Sequence, residues 1–175
     1  MGLTSRDGRA EFIALALASA ETARELGAPI VPGIAAAQAA LESRYGDSRL
    51  ALANNLLGIK AGQSWAGPTL DLPTREWVAP TEQPLRAGHW ITVTARWRRY
   101  ASWADCFVDY GKIIARLSWY ADAAEAAKRG DARAFLEGLL AKPNGPGAAD
   151  DEPGWATDPS YREKVLGIAE QWGLV

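Results

Sequence analysis

The local pattern of this chain changes once and then changes back, and this alternation constrains the fold more than any other feature. Apolar residues recur at helical spacing before Gly58 and after Tyr100, whereas "PTLDLPTREWVAP" and "HWITVTARWRRY" between them are rich in Thr, Val, Ile and Trp. Near-alternation in the second stretch, and the Pro- and Gly-containing "APTEQPLRAG" that joins the two, predict an antiparallel hairpin. We therefore expect an α+β fold: a mostly α-helical body with a small antiparallel β-hairpin lobe at about 58–100.

The flanking segments carry the signals that begin and end helices. Pro32 suits the first turn of a helix, Gly46 closes the same helix, and Asp47 and Ser102 are candidate N-caps. Together with the apolar spacing, these signals predict helices at 9–26, 31–45, 47–53, 102–120, 121–129, 131–141 and 159–172.

The chain is long enough for one compact domain. It has 175 residues, of which 48% are hydrophobic, which is too many for a disordered chain. No internal repeat is visible, so we expect a single domain spanning 1–175. Near its end, "KPNGPGAADDEPGW" predicts a loop long enough to form a rim or a lid over a site.

Charge and composition exclude several classes of function. The net charge is −2 and the isoelectric point about 5.5, with no basic block, so we expect no nucleic-acid partner. No apolar run is long enough to cross a membrane, so no membrane insertion is expected. The segment "RAEFIALALASAET" has Glu11 beside its apolar run and continues at helical spacing, so it is interpreted as the first helix and not as a signal peptide.

The chain has a single cysteine, Cys106, and a single histidine, His89. One cysteine allows no intrachain disulfide, and the two residues cannot supply the usual ligands of a zinc site. We therefore expect no metal and no cofactor. A Ser-His-Asp triad would have to use His89, which precedes a predicted strand and is interpreted as a surface residue.

The second predicted helix contains one acidic residue, Glu42, within an otherwise apolar and alanine-rich sequence. Glu42 lies beside Leu41 at the edge of the apolar stripe. A carboxyl group that borders the core is partly desolvated, which raises its pKa and keeps a proton near neutral pH, as a general acid requires. The alternative is a solvated glutamate that pairs with Arg44 or Arg49, and helix position alone does not favour the acid over it.

The sequence around Glu42 resembles a motif of glycoside hydrolase family 73, the bacterial cell-wall glucosaminidases. That family carries Ala-Gln-Ala, then Glu-Ser-x-Trp-Gly-x-Ser, then Asn-Asn-Leu-Phe-Gly-Ile-Lys. This chain has the corresponding stretches at 37–39, 42–48 and 54–60, with Tyr45 in place of Trp and Leu57 in place of Phe. Both substitutions keep a bulky side chain.

Further motifs follow in the family's order. "RRYASWADCFVDY" is similar to the family's Phe-Arg-x-Tyr-x-Ser stretch and its following helix, and "GWATDPSYREKV" to its Gly-Tyr-Ala-Thr-Asp-Pro-x-Tyr, with Trp155 for the first Tyr. The resemblance runs from about Phe12 to Trp172. It implies a lysozyme-like body with a cleft between the helices and the β-lobe. It also implies hydrolysis of the β-1,4 bond that follows N-acetylglucosamine in peptidoglycan.

The resemblance also assigns two residues to the chemistry. It makes Glu42 the proton donor to the leaving oxygen. It places Tyr161 beside that glutamate, where the phenol can bind the substrate N-acetyl group or position water. The alternative for Tyr161 is a buried aromatic residue at the start of the last helix.

A second carboxylate is harder to assign. Glycosidases commonly use two, and the candidates are Asp71, Glu76 and Glu82. Asp71 and Glu76 point to opposite faces of a regular strand, so only one of them is expected to reach the cleft. The family's Thr-x-Glu matches residues 74–76, which favours Glu76. The alternative is a solvent-facing Glu76 paired with an arginine such as Arg98.

Substrate binding is expected from aromatic and amide side chains. Trp65, Trp97 and Trp155 are placed nearest the sugar, because an aromatic face packs against the apolar face of a pyranose ring. Asn54 and Asn55 are candidates for substrate contact as well. Their alternative roles are to cap the third helix or to anchor the β-lobe.

These observations predict a monomeric peptidoglycan hydrolase whose partner is the glycan strand. The enzyme would be made in the cytoplasm without a clear signal peptide and would act on the cell wall, as a phage or prophage endolysin does. Two alternatives remain: a lytic transglycosylase, which also uses one glutamate, and a non-catalytic glycan-binding module.

Overall fold

The computed structural model describes residues 5–78, 81–82, 85–86, 88–141, 155–156 and 158–175, without the side chains at 75–78, 81–82, 85–86 and 90. The helices are α1 Arg6–Glu25, α2 Pro32–Ser43, α3 Trp103–Arg116, α4 Ala121–Arg129, α5 Ala132–Leu140 and α6 Tyr161–Gln171. The strands are β1 Thr69–Val78, β2 Thr81–Glu82, β3 Leu85–Arg86 and β4 His89–Arg98. The fold is the expected one, a mostly helical body with a small antiparallel lobe. The predicted loop 142–155 lies almost entirely outside the described residues.

The helical body is built around α2, which packs against both α1 and α6. Every residue from Pro32 to Ala40 is buried. Small side chains make this close packing possible: a Cβ added at Gly33 would lie 2.2 Å from the carbonyl oxygen of Leu174. Pro32 occupies the first turn, as predicted, because its missing N–H would have no helical partner there. No helix in the described part of the chain is both long and apolar enough to cross a bilayer.

The end of α2 differs from the prediction. The helix ends at Ser43 and not at residue 45, because Arg44 and Tyr45 adopt left-handed backbone angles with φ of 54° and 57°. The turn is held from the outside by the Tyr45 ring, which packs against Phe12 and Trp172 with ring centroids 5.9 and 6.5 Å apart. Glu42 is therefore the next-to-last residue of α2 and lies just before the turn.

Other helix boundaries were also predicted wrongly: α1 begins at Arg6 and not at residue 9, and α6 begins at Tyr161 and not at residue 159. The third helix is a 3-10 helix, Arg49–Ala53, and its N-cap position is Ser48, not Asp47. The helix from Ser102 ends at Arg116, because Leu117 is extended, and a separate 3-10 turn, Ser118–Tyr120, follows. The N-cap at Ser102 is confirmed, since its hydroxyl accepts a hydrogen bond from the backbone N–H of Asp105.

The predicted hairpin is confirmed. β1 pairs with β4 in antiparallel register, with Thr69 opposite Arg98 and Val78 opposite His89. At its base the hairpin joins the body through a bridge between Lys60 and Trp97. His89, at the start of β4, is exposed, in keeping with its interpretation as a surface residue.

Two asparagines tie the base of the β-lobe to the body. The Asn55 amide donates to the carbonyl oxygens of Ile59 and Arg98, both at 2.8 Å, and its Oδ1 accepts from the Ile59 N–H at 2.9 Å. Asn54 donates to the carbonyl oxygens of Tyr100 and Ala101, both at 3.1 Å. Asn55 is fully buried. Both residues therefore anchor the lobe, and Asn55 has no surface with which to contact a sugar, whereas substrate contact by the half-buried Asn54 stays a prediction.

An ion pair makes a second connection between the lobe and α3. Arg98 at the end of β4 is 2.6 Å from the Asp109 carboxylate, which also accepts a 2.6 Å hydrogen bond from the Tyr100 hydroxyl. Arg98 is buried and lies opposite Thr69 in the register. The register argues against the suggested pairing of Glu76 with Arg98, because Glu76 lies opposite Ile91, seven residues along β4 from Arg98, whose guanidinium is bound to Asp109 and to the Lys60 carbonyl.

Candidate active site

Glu42 opens into a cleft of about 310 Å³ between the helical body and the base of the β-lobe. The remaining lining comes from the segment after Asn55, from α3, from the 3-10 turn that follows α3, and from the region before α6: Leu57, Gly58, Ile59, Ile113, Tyr120 and Trp155. Gly58 has φ of 64°, a conformation that favours glycine, and it exposes backbone to the cleft. The cleft thus combines apolar and aromatic walls with one carboxyl group.

The environment of Glu42 favours its protonated form. The side chain as a whole is exposed to the cleft, yet the surrounding protein removes water from the carboxyl group, and this desolvation raises its pKa. Its place in the last turn of α2, near the negative end of the helix dipole, acts in the same direction. A hydrogen bond from the Tyr161 hydroxyl opposes the shift and lowers the pKa. Glu42 forms no ion pair with Arg44 or Arg49 in the described part of the chain.

A chain of buried hydrogen bonds orients Tyr161 toward Glu42. The Tyr110 hydroxyl of α3 donates to Oε1 of Gln38 at 2.8 Å, and Nε2 of Gln38 donates to the Tyr161 oxygen at 3.2 Å. Trp155 also lies close enough to the Tyr161 hydroxyl to lower its pKa. Because the phenol oxygen accepts the bond from Gln38, its own proton is left for the carboxyl group of Glu42. Burial and the charge of Glu42 raise the pKa of Tyr161, so it remains a donor.

The network is fully enclosed. Gln38 and Tyr110 have no exposed surface and Tyr161 has 4%. Desolvation also raises the pKa of Tyr110. The sequence did not predict roles for Gln38 and Tyr110, although a buried amide in an alanine-rich helix is a signal, because such a group needs polar partners.

The three tryptophans placed near the sugar occupy different positions. Trp155 lines the cleft and packs against Tyr110 and Tyr120, with ring centroids 4.6 and 6.3 Å apart. Trp65 lines a neighbouring depression, under the guanidinium of Arg98 at 4.7 Å. Trp97 lies in β4 with the Lys60 amine 5.7 Å from its ring centroid. Only Trp155 shares the Glu42 cleft in this structure.

The second carboxylate remains a prediction. The backbone of Glu76 lies in β1 opposite Ile91, but its side chain is among those that the structure does not describe, as is that of Glu82. Asp71 is exposed on β1 opposite Arg96.

The described residues contain no cluster of three or more His, Cys, Asp or Glu side chains that could hold a metal ion. Cys106 is buried in the core, where desolvation raises the pKa of its thiol to about 12. It is therefore not a reactive thiolate. The carboxyl group in the cleft is that of Glu42, with the phenol of Tyr161 beside it.

A helical body with a β-hairpin lobe, and a carboxyl group with a raised pKa in the cleft at their junction, are the features of a glycoside hydrolase site. The model of the glucosaminidase family, described as mannosyl-glycoprotein endo-beta-N-acetylglucosaminidase, matches residues 17–174. The chain therefore belongs to the glucosaminidase family, glycoside hydrolase family 73, and is a glycoside hydrolase.

Named relatives agree with this assignment. The chain is 31% identical over 155 residues to the peptidoglycan hydrolase FlgJ of Vibrio parahaemolyticus, covering 86% of this chain and 43% of that protein. It is 30% identical over 151 residues to the exo-glucosaminidase LytG of Bacillus subtilis, covering 83% and 45%. The chain thus spans less than half the length of these relatives.

Solved structures share the fold. A C-terminally truncated glycoside hydrolase domain of FlgJ from Salmonella typhimurium superposes with a TM-score of 0.65 at 27% identity, covering 95% of this chain and 99% of that one. The catalytic domain of the autolysin Auto from Listeria monocytogenes gives a TM-score of 0.67 at 23% identity, covering 99% and 89%. The second likeness concerns the fold alone.

Proposed function

We propose that this chain hydrolyses peptidoglycan at the β-1,4 bond that follows N-acetylglucosamine, with Glu42 as the general acid. The observation that carries the proposal is the position of Glu42: its carboxyl group lies in the cleft, with a pKa raised by desolvation. A protonated carboxyl group at neutral pH can give its proton to the leaving glycosidic oxygen. The names of the relatives, peptidoglycan hydrolase and exo-glucosaminidase, support the substrate.

In the proposed reaction, the Glu42 proton moves to the glycosidic oxygen as its bond to the anomeric carbon breaks. Water then completes the hydrolysis at that carbon. The Tyr161 hydroxyl orients the acid and stabilises the carboxylate that is left after proton transfer, because its own position is fixed by Gln38. Trp155 offers an aromatic wall to a sugar ring.

The group that acts on the anomeric carbon has two candidates. One is Glu76, which lies on the lobe and would serve as a base or as a stabiliser of the oxocarbenium-like transition state. The other is the N-acetyl group of the substrate itself, which replaces the second carboxylate in some glycosidases.

The proposed setting is the bacterial cell wall, which lies outside the cytoplasmic membrane. A phage or prophage endolysin fits a wall hydrolase that is released by a separate pore-forming protein. An antibacterial effector or part of a flagellar rod-cap protein would use the same chemistry. We expect the chain to act as a monomer.

Mass spectrometry of digested peptidoglycan tests the proposal. We expect fragments with N-acetylglucosamine at the reducing end. Anhydro-muramyl ends would identify a lytic transglycosylase and contradict the proposed bond and reaction. Wall binding without any released fragment would identify a non-catalytic glycan-binding module.

A further inference from the structure

A second depression lies beside the Glu42 cleft and shares a wall with it. It has a volume of about 190 Å³. Its lining consists of Ser64, Trp65, Arg98, Asp109, Lys112, Ile113 and Arg116. Ile113 lines both the cleft and the depression. A ligand that fills the cleft and continues past Ile113 therefore reaches the second depression.

The depression is positively charged in a chain whose net charge is −2. Arg98 and Asp109 neutralise each other at its base, where they are 2.6 Å apart. Lys112 and Arg116 follow each other at i and i+4 on α3, so they project from the same face of the helix. Both are exposed, and neither forms an ion pair within the part of the chain that the structure describes. Two positive charges thus remain for a ligand.

A neutral sugar does not require positive charges in its binding site. The proposed substrate, however, carries negative charges that could pair with them. In peptidoglycan, both neighbours of every N-acetylglucosamine are muramic acid residues, and each can bear an acidic stem peptide. The depression could continue the cleft at either end. In both cases the sugar next to the cleaved N-acetylglucosamine is a muramic acid. Its peptide carboxylates are the anions nearest to Lys112 and Arg116.

We propose, on the basis of the proposed function, that Lys112 and Arg116 form a subsite for a carboxylate of the stem peptide, with Trp65 as its apolar wall. The subsite would make the enzyme prefer peptide-bearing glycan over bare glycan. Arg98 would hold the wall in place, because its guanidinium packs over the Trp65 ring at 4.7 Å while it remains bound to Asp109.

The test is a binding measurement with a soluble disaccharide tripeptide, N-acetylglucosaminyl-N-acetylmuramyl tripeptide, and with the same fragment after its carboxylates are amidated. All proteins carry Glu42→Gln so that the fragment is not consumed. In this background, Lys112→Gln with Arg116→Gln is compared with a control, Arg24→Gln with Arg129→Gln. The control removes two exposed arginines outside both depressions, so it matches the change in net charge.

We expect the Lys112 and Arg116 variant to bind the charged fragment about fivefold more weakly than its parent, as the loss of two exposed ion pairs predicts. The control should bind as the parent does, and the amidated fragment should bind equally to all three proteins. Equal weakening in the control, equal weakening for the amidated fragment, or no binding of the charged fragment to the parent would each overturn the subsite. Wall digestion by the unmodified chain is scored separately, so a failure of the proposed hydrolysis is distinguished from a failure of the subsite.

Discussion

The helical body and the β-hairpin lobe hold their sides of the cleft by different means. In the body, Tyr110, Gln38 and Tyr161 from α3, α2 and α6 form a continuous chain of buried hydrogen bonds, and Tyr161 at its end lowers the pKa of Glu42. In the lobe, β1 and β4 pair with each other. Among the described side chains of these two strands, only Leu72 and Arg98 are buried.

This difference indicates a division of roles. The body fixes the proton donor before substrate arrives, because Gln38 and Tyr110 are enclosed on all sides. The lobe depends on its base, where Asn55 and Arg98 connect it to the body. A two-stranded hairpin is marginally stable alone. Variants in the body should therefore alter the chemistry, and variants at the base should alter the lobe's local stability.

The largest expected effect is in the body. Glu42→Gln keeps the size of the side chain and removes the titrating proton, so wall hydrolysis should fall by about 10²- to 10⁴-fold. The measurement is turbidity loss of cell walls, with circular dichroism to show that the fold is kept. Glu25→Gln is the matched control, since Glu25 is an exposed glutamate in the last turn of α1. A folded Glu42→Gln protein with normal lysis would overturn the assignment.

The second-largest expected effect is in the β-lobe, at Glu76. If Glu76 acts on the anomeric carbon, Glu76→Gln should lower kcat by about 10²-fold and change KM little, because the interaction is made in the transition state. Steady-state kinetics on soluble glycan fragments separate the two constants. Near-normal turnover in Glu76→Gln, alongside an inactive Glu42→Gln, would remove Glu76 from the mechanism. The enzyme would then use one glutamate and the substrate's own N-acetyl group.

The base of the lobe offers a third test. Asn55→Ala removes three hydrogen bonds and leaves buried backbone groups unpaired, which should cost about 1–3 kcal/mol. Hydrogen exchange should become faster for β1 and β4 and stay unchanged for α2. Asn55→Asp is a second variant at the same position: it keeps the acceptor for the Ile59 N–H but sets a buried carboxyl oxygen against two carbonyl oxygens, so exchange in the lobe should accelerate at least as much. Equal acceleration in α2 would mean that the lobe and the body unfold as one unit.

Tyr161→Phe should have a smaller effect on rate but a specific one on its pH dependence. The hydrogen bond from Tyr161 lowers the pKa of Glu42, so its loss should raise that pKa. The alkaline limb of the pH–rate profile should then move to higher pH, with a loss of about 10-fold in kcat. Tyr110→Phe is the graded control: it acts only through Gln38 and should shift the limb less in the same direction. An unmoved limb in Tyr161→Phe would show that the phenol does not act on Glu42.

Local signals were enough to predict most helices and the hairpin. Helix α4, Ala121–Arg129, was predicted to the residue, because Gly130 in a left-handed conformation ends it. The end of α2 was missed because two residues with ordinary side chains, Arg44 and Tyr45, adopt positive φ before the glycine. Packing of Tyr45 against distant rings stabilises this turn, and no local rule contains that information.

The site was predictable in part. Glu42 and Tyr161 follow from the resemblance to the family, and the cleft now contains the first of them with the second beside it. The hydrogen bonds that connect them to the body could not be predicted, because Gln38 is separated by 72 residues from Tyr110 and by 123 from Tyr161. Asn55 illustrates the converse: a polar residue inside a functional motif supports the fold around the site.

The smallest expected effect concerns the stability cost of holding Glu42 in the cleft. Its folded pKa is raised above the ordinary value of 4.5. Below that value the carboxyl group is protonated in both states and contributes no pH dependence. As the pH rises from there through the folded pKa, the folded state binds the proton more tightly, so the stability of the unmodified chain falls.

Glutamine does not ionise, so Glu42→Gln should gain thermal stability relative to the unmodified chain between about pH 4 and about pH 7. Because the side chain keeps solvent access, the gain in Tm should be only about 1–2 °C. Calorimetry at both pH values measures it, with Glu25→Gln as the control for the loss of one negative charge. A difference in Tm that does not change with pH would mean that the body holds the acid without destabilising its charged form.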